Sequence, residues 1–183
     1  MNDERRNQHR EFFLAKYDDK WVEIFEHTAK QLKNIFGPEL IEIHHIGSTS
    51  IPGMLAKPQI DILMEVKDLD QIEKYYSEME RSGFKPMGRK YTRRPDSEYF
   101  VKDSLDGKRL ISIHAYQVGN AEIENKLIFR DYLRENETAR SSYIDKKREL
   151  YKKYRNDYPS YRAGKFDIIE KLKNEAYRWK TAR

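Results

Sequence analysis

The segments HIGSTS (residues 45–50) and KPQIDI (residues 57–62) decide the fold of this chain. An isoleucine-rich stretch precedes the first segment, which predicts a strand that ends in a Gly-Ser turn. After a short loop, apolar residues alternate with other residues from 59 to 66, which predicts a second, half-buried strand. Asp61 and Glu65 are predicted to share the face of this strand opposite the apolar one.

The turn at Gly47 and Ser48 has the composition of a phosphate-binding loop. Glycine lets the backbone turn tightly and present its N–H groups, and serine adds a hydroxyl. Asp61 follows Ser48 by 13 positions, on the predicted second strand. Nucleotidyltransferase-fold enzymes use a Gly-Ser turn and a strand aspartate at this spacing to hold a nucleotide triphosphate and its metal. The pattern therefore predicts nucleotide binding at Gly47 and Ser48 and a catalytic, metal-binding role for Asp61.

One feature of such a site is missing. Nucleotidyltransferases carry Asp-x-Asp or Asp-x-Glu on this strand, whereas Leu63 occupies the second position here. Hard divalent cations need several oxygen ligands, so a single carboxylate makes a poor two-metal site. Glu65 lies on the same predicted face, roughly 6–7 Å beyond Leu63. We predict Glu65 as the substitute metal ligand; the alternative is a solvated strand end.

Two lysines and two histidines extend the predicted site. Lys57 either contacts a phosphate or pairs with a carboxylate. Lys165 lies at a predicted helix start, where backbone N–H groups favour anions, and is predicted to bind the nucleotide. His45 and His114 are predicted to meet across neighbouring strands near Asp61, in a site for a metal or for proton transfer, with His114 as a catalytic residue. The alternative for each histidine is a buried, hydrogen-bonded ring that supports the turn.

The remaining basic residues have a plainer interpretation. Arg130 and Arg134 lie four apart on a predicted helix and either clamp an anion or, as we prefer, pair with neighbouring acids such as Asp131. The basic run from 146 to 153 alternates with acidic residues, which predicts a solvated helix face. The loop-like segment 89–94 is the better candidate for an anion-binding loop.

Several motifs along the chain occur together in one known family. They are HIGST at 45–49, IPG at 51–53, AKP at 56–58, FRDYLR at 129–134 and the Tyr161, Lys165, Phe166 and Ile168 ending. On these motifs, together with Tyr17-Asp18, Trp21 and Phe25, the chain resembles the GrpB family (glutamate-rich protein B) from about residue 16 to about residue 170. The resemblance implies a nucleotidyltransferase-like fold, without an established activity. It also implies a histidine at the position of Ser112.

Length and composition predict a single nucleotidyltransferase-like domain over residues 1–183. The absence of cysteine excludes disulfides, thiol nucleophiles and zinc–thiolate sites. Without a bilayer-length apolar run or an apolar signal segment, the chain is predicted to be cytoplasmic and free of membrane. The formal net charge is +5, but the basic residues are dispersed. A small-molecule phosphate ligand is therefore predicted, rather than nucleic acid.

Residue periodicity predicts the order of the elements. The predicted helices span 4–35, 69–82, 121–156 and 164–180. The predicted strands span 40–46, 59–66, 84–86, 97–103 and 108–117, with a hairpin turn at Asp106-Gly107. This order predicts an α/β or α+β fold, with a nucleotidyltransferase-like mixed sheet and packed helices.

These observations predict a nucleotidyltransferase-like protein of undetermined substrate. It would bind a nucleotide or phosphometabolite together with magnesium or manganese. The alternative is a noncatalytic nucleotide- or phosphate-binding module on the same fold, in which the lost second carboxylate marks lost catalysis.

Overall fold

The computed structural model describes residues 12–89 and 95–183. The helices are α1 (Lys20–Phe36), α2 (Tyr76–Arg81), α3 (Ala121–Glu135), α4 (Glu137–Lys153), α5 (Tyr158–Ala163) and α6 (Phe166–Thr181). The strands are β1 (Leu40–Ile46), β2 (Ile60–Val66), β3 (Lys85–Pro86), β4 (Glu98–Asp103) and β5 (Arg109–Gln117). Short 3-10 segments cover Gly37–Glu39, Ser48–Ser50 and Leu69–Tyr75.

The five strands form one mixed sheet in the order β1-β2-β5-β4-β3. Strands β2 and β5 run parallel, while the other neighbouring pairs are antiparallel. The mixed sheet with packed helices confirms the predicted fold class. Central placement of β2 and β5 also sets Asp61 beside Ser112 and Leu63 beside His114.

The two faces of β2 pack against different parts of the chain. Ile60, Ile62, Met64 and Val66 join the main core with Leu32 of α1. On the opposite face, Leu63 packs with Ile46, Tyr116 and Ile123. A second helical core joins α3, α4 and α6 to Ile51 and Met54 of the loop between β1 and β2. The Asp61 face of the sheet is therefore the face that meets the C-terminal helices.

Two predicted helix boundaries are wrong. Residues 4–11 of the predicted helix 4–35 lie outside the described residues. In the remainder the helix begins at Lys20, and Ala15 forms an isolated bridge with Ala56 instead of a helical turn. The predicted helix 121–156 is interrupted at Asn136, whose side chain accepts a hydrogen bond from the Ala139 N–H (2.9 Å) and caps α4. Asparagine is a favourable N-cap residue, because its side-chain oxygen can accept a hydrogen bond from a backbone N–H that has no partner within the new helix.

Within the described ranges, no helix combines the length and the apolar character needed to cross a bilayer. Residues 90–94 of the predicted anion-binding loop lie outside the described residues. Arg89, at its start, contacts Asp70 and the buried Glu98.

Candidate functional site

The Gly-Ser turn lies directly against Asp61. Gly47 has a φ of +72°, a left-handed conformation that side-chain-bearing residues rarely adopt. A Cβ atom at this position would lie only 2.5 Å from Oδ2 of Asp61. Glycine is therefore required both for the backbone conformation and for the close approach of the carboxylate. This placement agrees with the arrangement predicted from the 13-residue spacing.

A small polar cavity opens at this turn, with a volume of about 110 Å³. It is lined by Ser48, Thr49, Lys57, Gln59, Asp61, Lys147, Tyr158, Tyr161 and Lys165. Ser48, Lys57, Asp61 and Lys165 were each predicted to belong to the site; the first three come from one segment of the chain, and Lys165 comes from near its C-terminal end. The fold thus brings together most of the predicted phosphate-binding groups around one carboxylate.

Each of the three cavity lysines lies over the ring of a tyrosine. The distances from Nζ to the ring centroid are 4.8 Å for Lys57 over Tyr158, 4.4 Å for Lys147 over Tyr143 and 4.8 Å for Lys165 over Tyr161. An aromatic face attracts an ammonium group without neutralising its charge. The tyrosine rings therefore position the lysine side chains without adding a negative charge that would compete with an anion.

Lys147 is the main residue of the cavity that the sequence analysis missed. Only 2% of this residue is exposed, so the predicted solvated face for the run 146–153 is wrong at this position. Its Nζ donates hydrogen bonds to Oγ of Ser48 (2.5 Å) and to the carbonyl of Leu55 (2.8 Å). Burial, reinforced by the nearby Lys165, lowers the pKa of Lys147 well below its ordinary value. The buried ammonium is thus an electrostatically costly group placed against the predicted phosphate loop.

The surroundings also shift the pKa values of Asp61 and Lys165. Burial raises the pKa of Asp61, although the Gln59 hydrogen bond and the neighbouring lysines oppose this shift. Burial, followed by repulsion from Arg162, lowers the pKa of Lys165 to about 8. Shifted pKa values of oppositely charged side chains in one cavity are typical of functional sites.

A chain of hydrogen bonds fixes the Asp61 carboxylate. The Gln59 amide nitrogen donates to Oδ1 of Asp61 and to Oγ of Ser112, both at 2.9 Å. Ser112 also bonds the Tyr99 hydroxyl at 2.8 Å, and Arg109 donates to that hydroxyl at 3.1 Å. Ser112, at the position where the family resemblance implies a histidine, therefore acts as a link in this chain. Oδ2 of Asp61 is left facing Gly47.

The structure does not bring Glu65 or His114 into this cavity. Glu65 lies four residues from Asp61 along β2, roughly 13 Å by strand rise, and its carboxylate contacts His44 at 2.8 Å. His114 pairs with Leu63 across β2 and β5, and its ring lies 4.8 Å from that of Tyr99. The paired Asp61 and Glu65 metal site is thus not formed in this arrangement.

His45 occupies the opposite side of the sheet from His114. Its ring stacks on Phe25 of α1 at 4.9 Å and its Nε2 bonds Oγ1 of Thr49 at 3.0 Å. The predicted meeting of the two histidines near Asp61 is therefore wrong, because Phe25 and Thr49 hold His45 within the α1 side of the fold. The alternative interpretation, a buried histidine that supports the turn, describes its contacts.

His45 should make the protein sensitive to mild acid. Burial and repulsion from Arg134 and Arg130 lower its folded-state pKa to about 4, against 6.5 for the ordinary side chain. The unfolded chain then binds the proton more tightly, so stability falls as the pH drops from about 6.5 to about 4. The loss should approach about 3 kcal/mol. Urea unfolding at pH 7.0 and 4.5 measures it.

Two variants control this measurement. His45→Gln should flatten the pH dependence, since it removes the titrating ring, whereas the same change at the exposed His27 should leave it unaltered. Equal pH dependence in all three proteins would assign the acid sensitivity to other groups.

Arg130 and Arg134, both on α3, donate hydrogen bonds to the backbone around the Gly-Ser turn. Arg130 pairs with Asp131 (2.7 Å) and donates to the carbonyl of His45 (3.2 Å). Arg134 donates from Nε (2.9 Å) and Nη2 (2.8 Å) to the carbonyl of Ser50. The preferred ion pairing is confirmed for Asp131. Both arginines bind backbone carbonyls on either side of the Gly-Ser turn, so they position the turn instead of forming the alternative anion clamp.

Two larger cavities adjoin the Asp61 cavity. One, of about 320 Å³, shares Ser48 with it and extends between α3 and α6, where Phe129 and Tyr177 line it. The other, of about 340 Å³, shares Lys57 and is lined by Phe12, Tyr151 and Arg155, among others. A phosphate group in the small cavity could therefore carry substituents into either of the larger ones.

Comparison with known proteins identifies the family. The sequence model of the family described as GrpB protein matches residues 11–175. The chain belongs to the GrpB family. The protein YqkA of Bacillus subtilis is 38% identical over 170 residues, which cover 93% of this chain and 48% of YqkA. The chain thus spans about half the length of that relative.

Solved structures extend the GrpB comparison to the fold. The crystal structure of the conserved protein GrpB from Enterococcus faecalis shares 34% identity with a TM-score of 0.85, and the match covers 91% of this chain and 98% of that one. A crystal structure of the Cid1 poly(U) polymerase bound to MgATP matches with a TM-score of 0.53 and 17% identity, covering 76% of this chain and 44% of Cid1. The fold is therefore nucleotidyltransferase-like, as the sequence predicts.

Proposed function

We propose that this GrpB-family protein binds a nucleotide or another small phosphate-bearing metabolite, with one magnesium or manganese ion, in the Asp61 cavity. The observation that carries the proposal is the convergence of Ser48 and three lysines on a single carboxylate. In that setting the lysines would contact phosphate oxygens, while the Gly47-Ser48 turn would present its hydroxyl and N–H groups to the same oxygens.

The electrostatics of the cavity favour an anionic ligand. Lys147 is almost fully buried, and burying a cation costs several kcal/mol unless an opposite charge compensates it. Among the described residues that line the cavity, Asp61 is the one acidic side chain beside Lys57, Lys147 and Lys165. A phosphate would bring the compensating negative charge and raise the pKa of Lys147 and Lys165 toward their ordinary values. Ligand binding would thus compensate the cost of burying the Lys147 side chain, which the fold imposes.

The residues present fit a metal that arrives with its phosphate. Magnesium binds through one or two carboxylates together with substrate phosphates and water. Asp61 offers one carboxylate whose Oδ2 faces the turn, and Gln59 holds its other oxygen. The nearby lysines disfavour a cation that lacks a phosphate partner. Metal binding is therefore expected to depend on the phosphate ligand.

Thermal unfolding with ATP or pyrophosphate, with and without magnesium or manganese, tests this proposal. Binding to the folded state at a hundredfold excess over the dissociation constant adds about 2.7 kcal/mol, roughly 5–10 °C in Tm for a protein of this size. We expect the largest shift with phosphate and metal together and none with magnesium alone. Asp61→Asn keeps an acceptor for Gln59 and should lose only the metal-dependent part of the shift.

The exposed Asp19 provides a matched control, because Asp19→Asn makes the same chemical change outside the cavity. If Asp61→Asn kept the full metal-dependent shift, Asp61 would be removed from the metal site. If neither ATP nor pyrophosphate shifted Tm in the wild type, phosphate binding itself would be rejected.

Nucleotidyl transfer is the second candidate function. The two larger cavities that adjoin the Asp61 cavity support it, because transfer needs room for a donor on one side of the phosphate and an acceptor on the other. Against it stands Leu63, which leaves one carboxylate where two-metal enzymes carry a pair. Chromatography of ATP and UTP after incubation with protein, metal and mixed small-molecule acceptors tests this candidate. Release of pyrophosphate at about 1 per second or faster would favour the enzyme over the binder.

A further inference from the structure

Three potential metal ligands meet near the β1 edge of the sheet, away from the Asp61 cavity. Nε2 of His44 lies 2.8 Å from Oε1 of Glu65 and 3.3 Å from Oε2 of Glu42. The three ligand atoms all fall within 4.8 Å of one another. In the described parts of the chain, this is the group of histidine and acidic residues whose ligand atoms come together in this way.

The strand register forces the two glutamates together. An irregularity between Leu40 and Glu42 shifts the pairing of β1 with β2, so that Glu42 lies directly opposite Glu65. Like charges at directly opposed positions of an antiparallel pair destabilise a sheet. His44, two residues beyond Glu42, points to the same face and contacts both carboxylates. A cation at this position would therefore remove an unfavourable interaction that the backbone imposes.

The distances suit a transition-metal ion. Zinc binds histidine nitrogen and carboxylate oxygen at about 2.0–2.2 Å, so ligand atoms of a tetrahedral site lie roughly 3.3–3.6 Å apart. The contact from His44 to Glu42 already has this length, and the 63% exposed Glu42 side chain is free to adjust. His44 and Glu65 are mostly buried, with 17% and 12% of their side chains exposed, which holds two of the three ligands in place.

We propose that Glu42, His44 and Glu65 bind a divalent transition-metal ion such as zinc, with three protein ligands and an open fourth position. One imidazole and two carboxylates suit zinc, iron or manganese better than calcium. Glu65 also lines a cavity of about 460 Å³ together with Glu124 and Asp131, so water or a small ligand can reach the open position. This metal site is separate from the proposed phosphate site, and neither depends on the other.

Titration of the metal-free protein with zinc, followed by calorimetry, tests the site. We expect one zinc per chain at this site and a loss of at least tenfold in affinity for Glu42→Gln, whose exposed side chain makes this variant safe for folding. His44→Ala should lose binding altogether. Cobalt should give the visible absorption of a tetrahedral nitrogen and oxygen site in the wild type and not in His44→Ala.

Two controls separate this site from other zinc-binding groups. His27→Ala removes an exposed histidine elsewhere, and Asp61→Asn removes the proposed metal ligand of the phosphate site; both should bind zinc as the wild type does. Zinc affinity that is unchanged in Glu42→Gln and His44→Ala, or the absence of zinc binding in the wild type, would overturn the proposal. Loss of zinc binding in Asp61→Asn alone would move the metal to the phosphate cavity and overturn it as well.

Discussion

Replacing Lys147 by methionine should weaken phosphate binding roughly a hundredfold while changing the stability of the fold much less. Lys147 is 2% exposed, and its Nζ reaches both Ser48 of the phosphate loop and the carbonyl of Leu55. Methionine keeps a long unbranched side chain in the same space and removes the charge. The ammonium is thus the property that this variant tests.

The two effects of the change on stability oppose one another. Removal of a buried ammonium recovers several kcal/mol of desolvation, while Ser48 and Leu55 lose a donor at a cost of about 1–3 kcal/mol. We therefore expect the free energy of unfolding to stay within about 2 kcal/mol of the wild type. Loss of a charge-assisted contact to phosphate costs about 3 kcal/mol, which is roughly a hundredfold in Kd.

Calorimetric titration with ATP and magnesium, and urea unfolding of the same protein, measure both quantities. Lys152→Met is the matched control, because it makes the same change at an exposed position of α4. It should alter neither quantity. Unchanged ATP affinity in Lys147→Met, or a loss that Lys152→Met shares, would show that Lys147 serves only the packing of the core.

Local patterns in the sequence were sufficient to predict the centre of the site. The conformation of Gly47 and the position of Asp61 on the second strand both follow from short-range rules: glycine for a left-handed turn, and alternation for a strand face. Because β1 and β2 are adjacent antiparallel strands, a short loop between them is enough to bring Asp61 against Gly47. No long-range information was needed for this contact.

The burial of Lys147, in contrast, could not be predicted from local patterns. This residue lies within a run of charged residues, and that composition favours a solvated face. A weak signal was present nevertheless, because Lys147 continues the buried stripe of Ala139, Tyr143 and Leu150 at helical spacing. Whether a lysine on such a stripe is buried depends on its partners, here Ser48 and Leu55, which are more than 90 residues away. Composition alone contains no information about them.

The histidine prediction failed for a related reason. Spacing placed His45 beside the Gly-Ser turn correctly, but it did not fix the face of β1 that its ring occupies. Phe25 of α1 settles that question by stacking on the ring. A shift of one residue in a strand moves a side chain to the other face of the sheet. An error of one residue in the predicted register therefore assigns a core residue to the site, or a site residue to the core.

Replacement of Leu63 by aspartate should unfold the protein or come close to it. Leu63 is fully buried against Ile46, Tyr116 and Ile123, in an apolar cluster below the phosphate loop. Leucine to alanine at such a site costs about 2–5 kcal/mol through the cavity it leaves. A carboxylate buried in this apolar cluster adds a desolvation cost of several kcal/mol. The total approaches the whole stability of a typical domain, about 5–15 kcal/mol.

This variant also tests whether position 63, where nucleotidyltransferases carry the second carboxylate, faces the core or the phosphate cavity. Leu63→Ala removes the same packing without adding charge, so the difference between the two variants in urea unfolding isolates the cost of the carboxylate. If Leu63→Asp is much less stable than Leu63→Ala, the position belongs to the core, and it cannot supply a second carboxylate to the proposed phosphate site. If instead Leu63→Asp folds stably and binds magnesium more tightly with ATP, that strand face is open to the phosphate cavity. A single substitution would then separate this chain from a two-metal site.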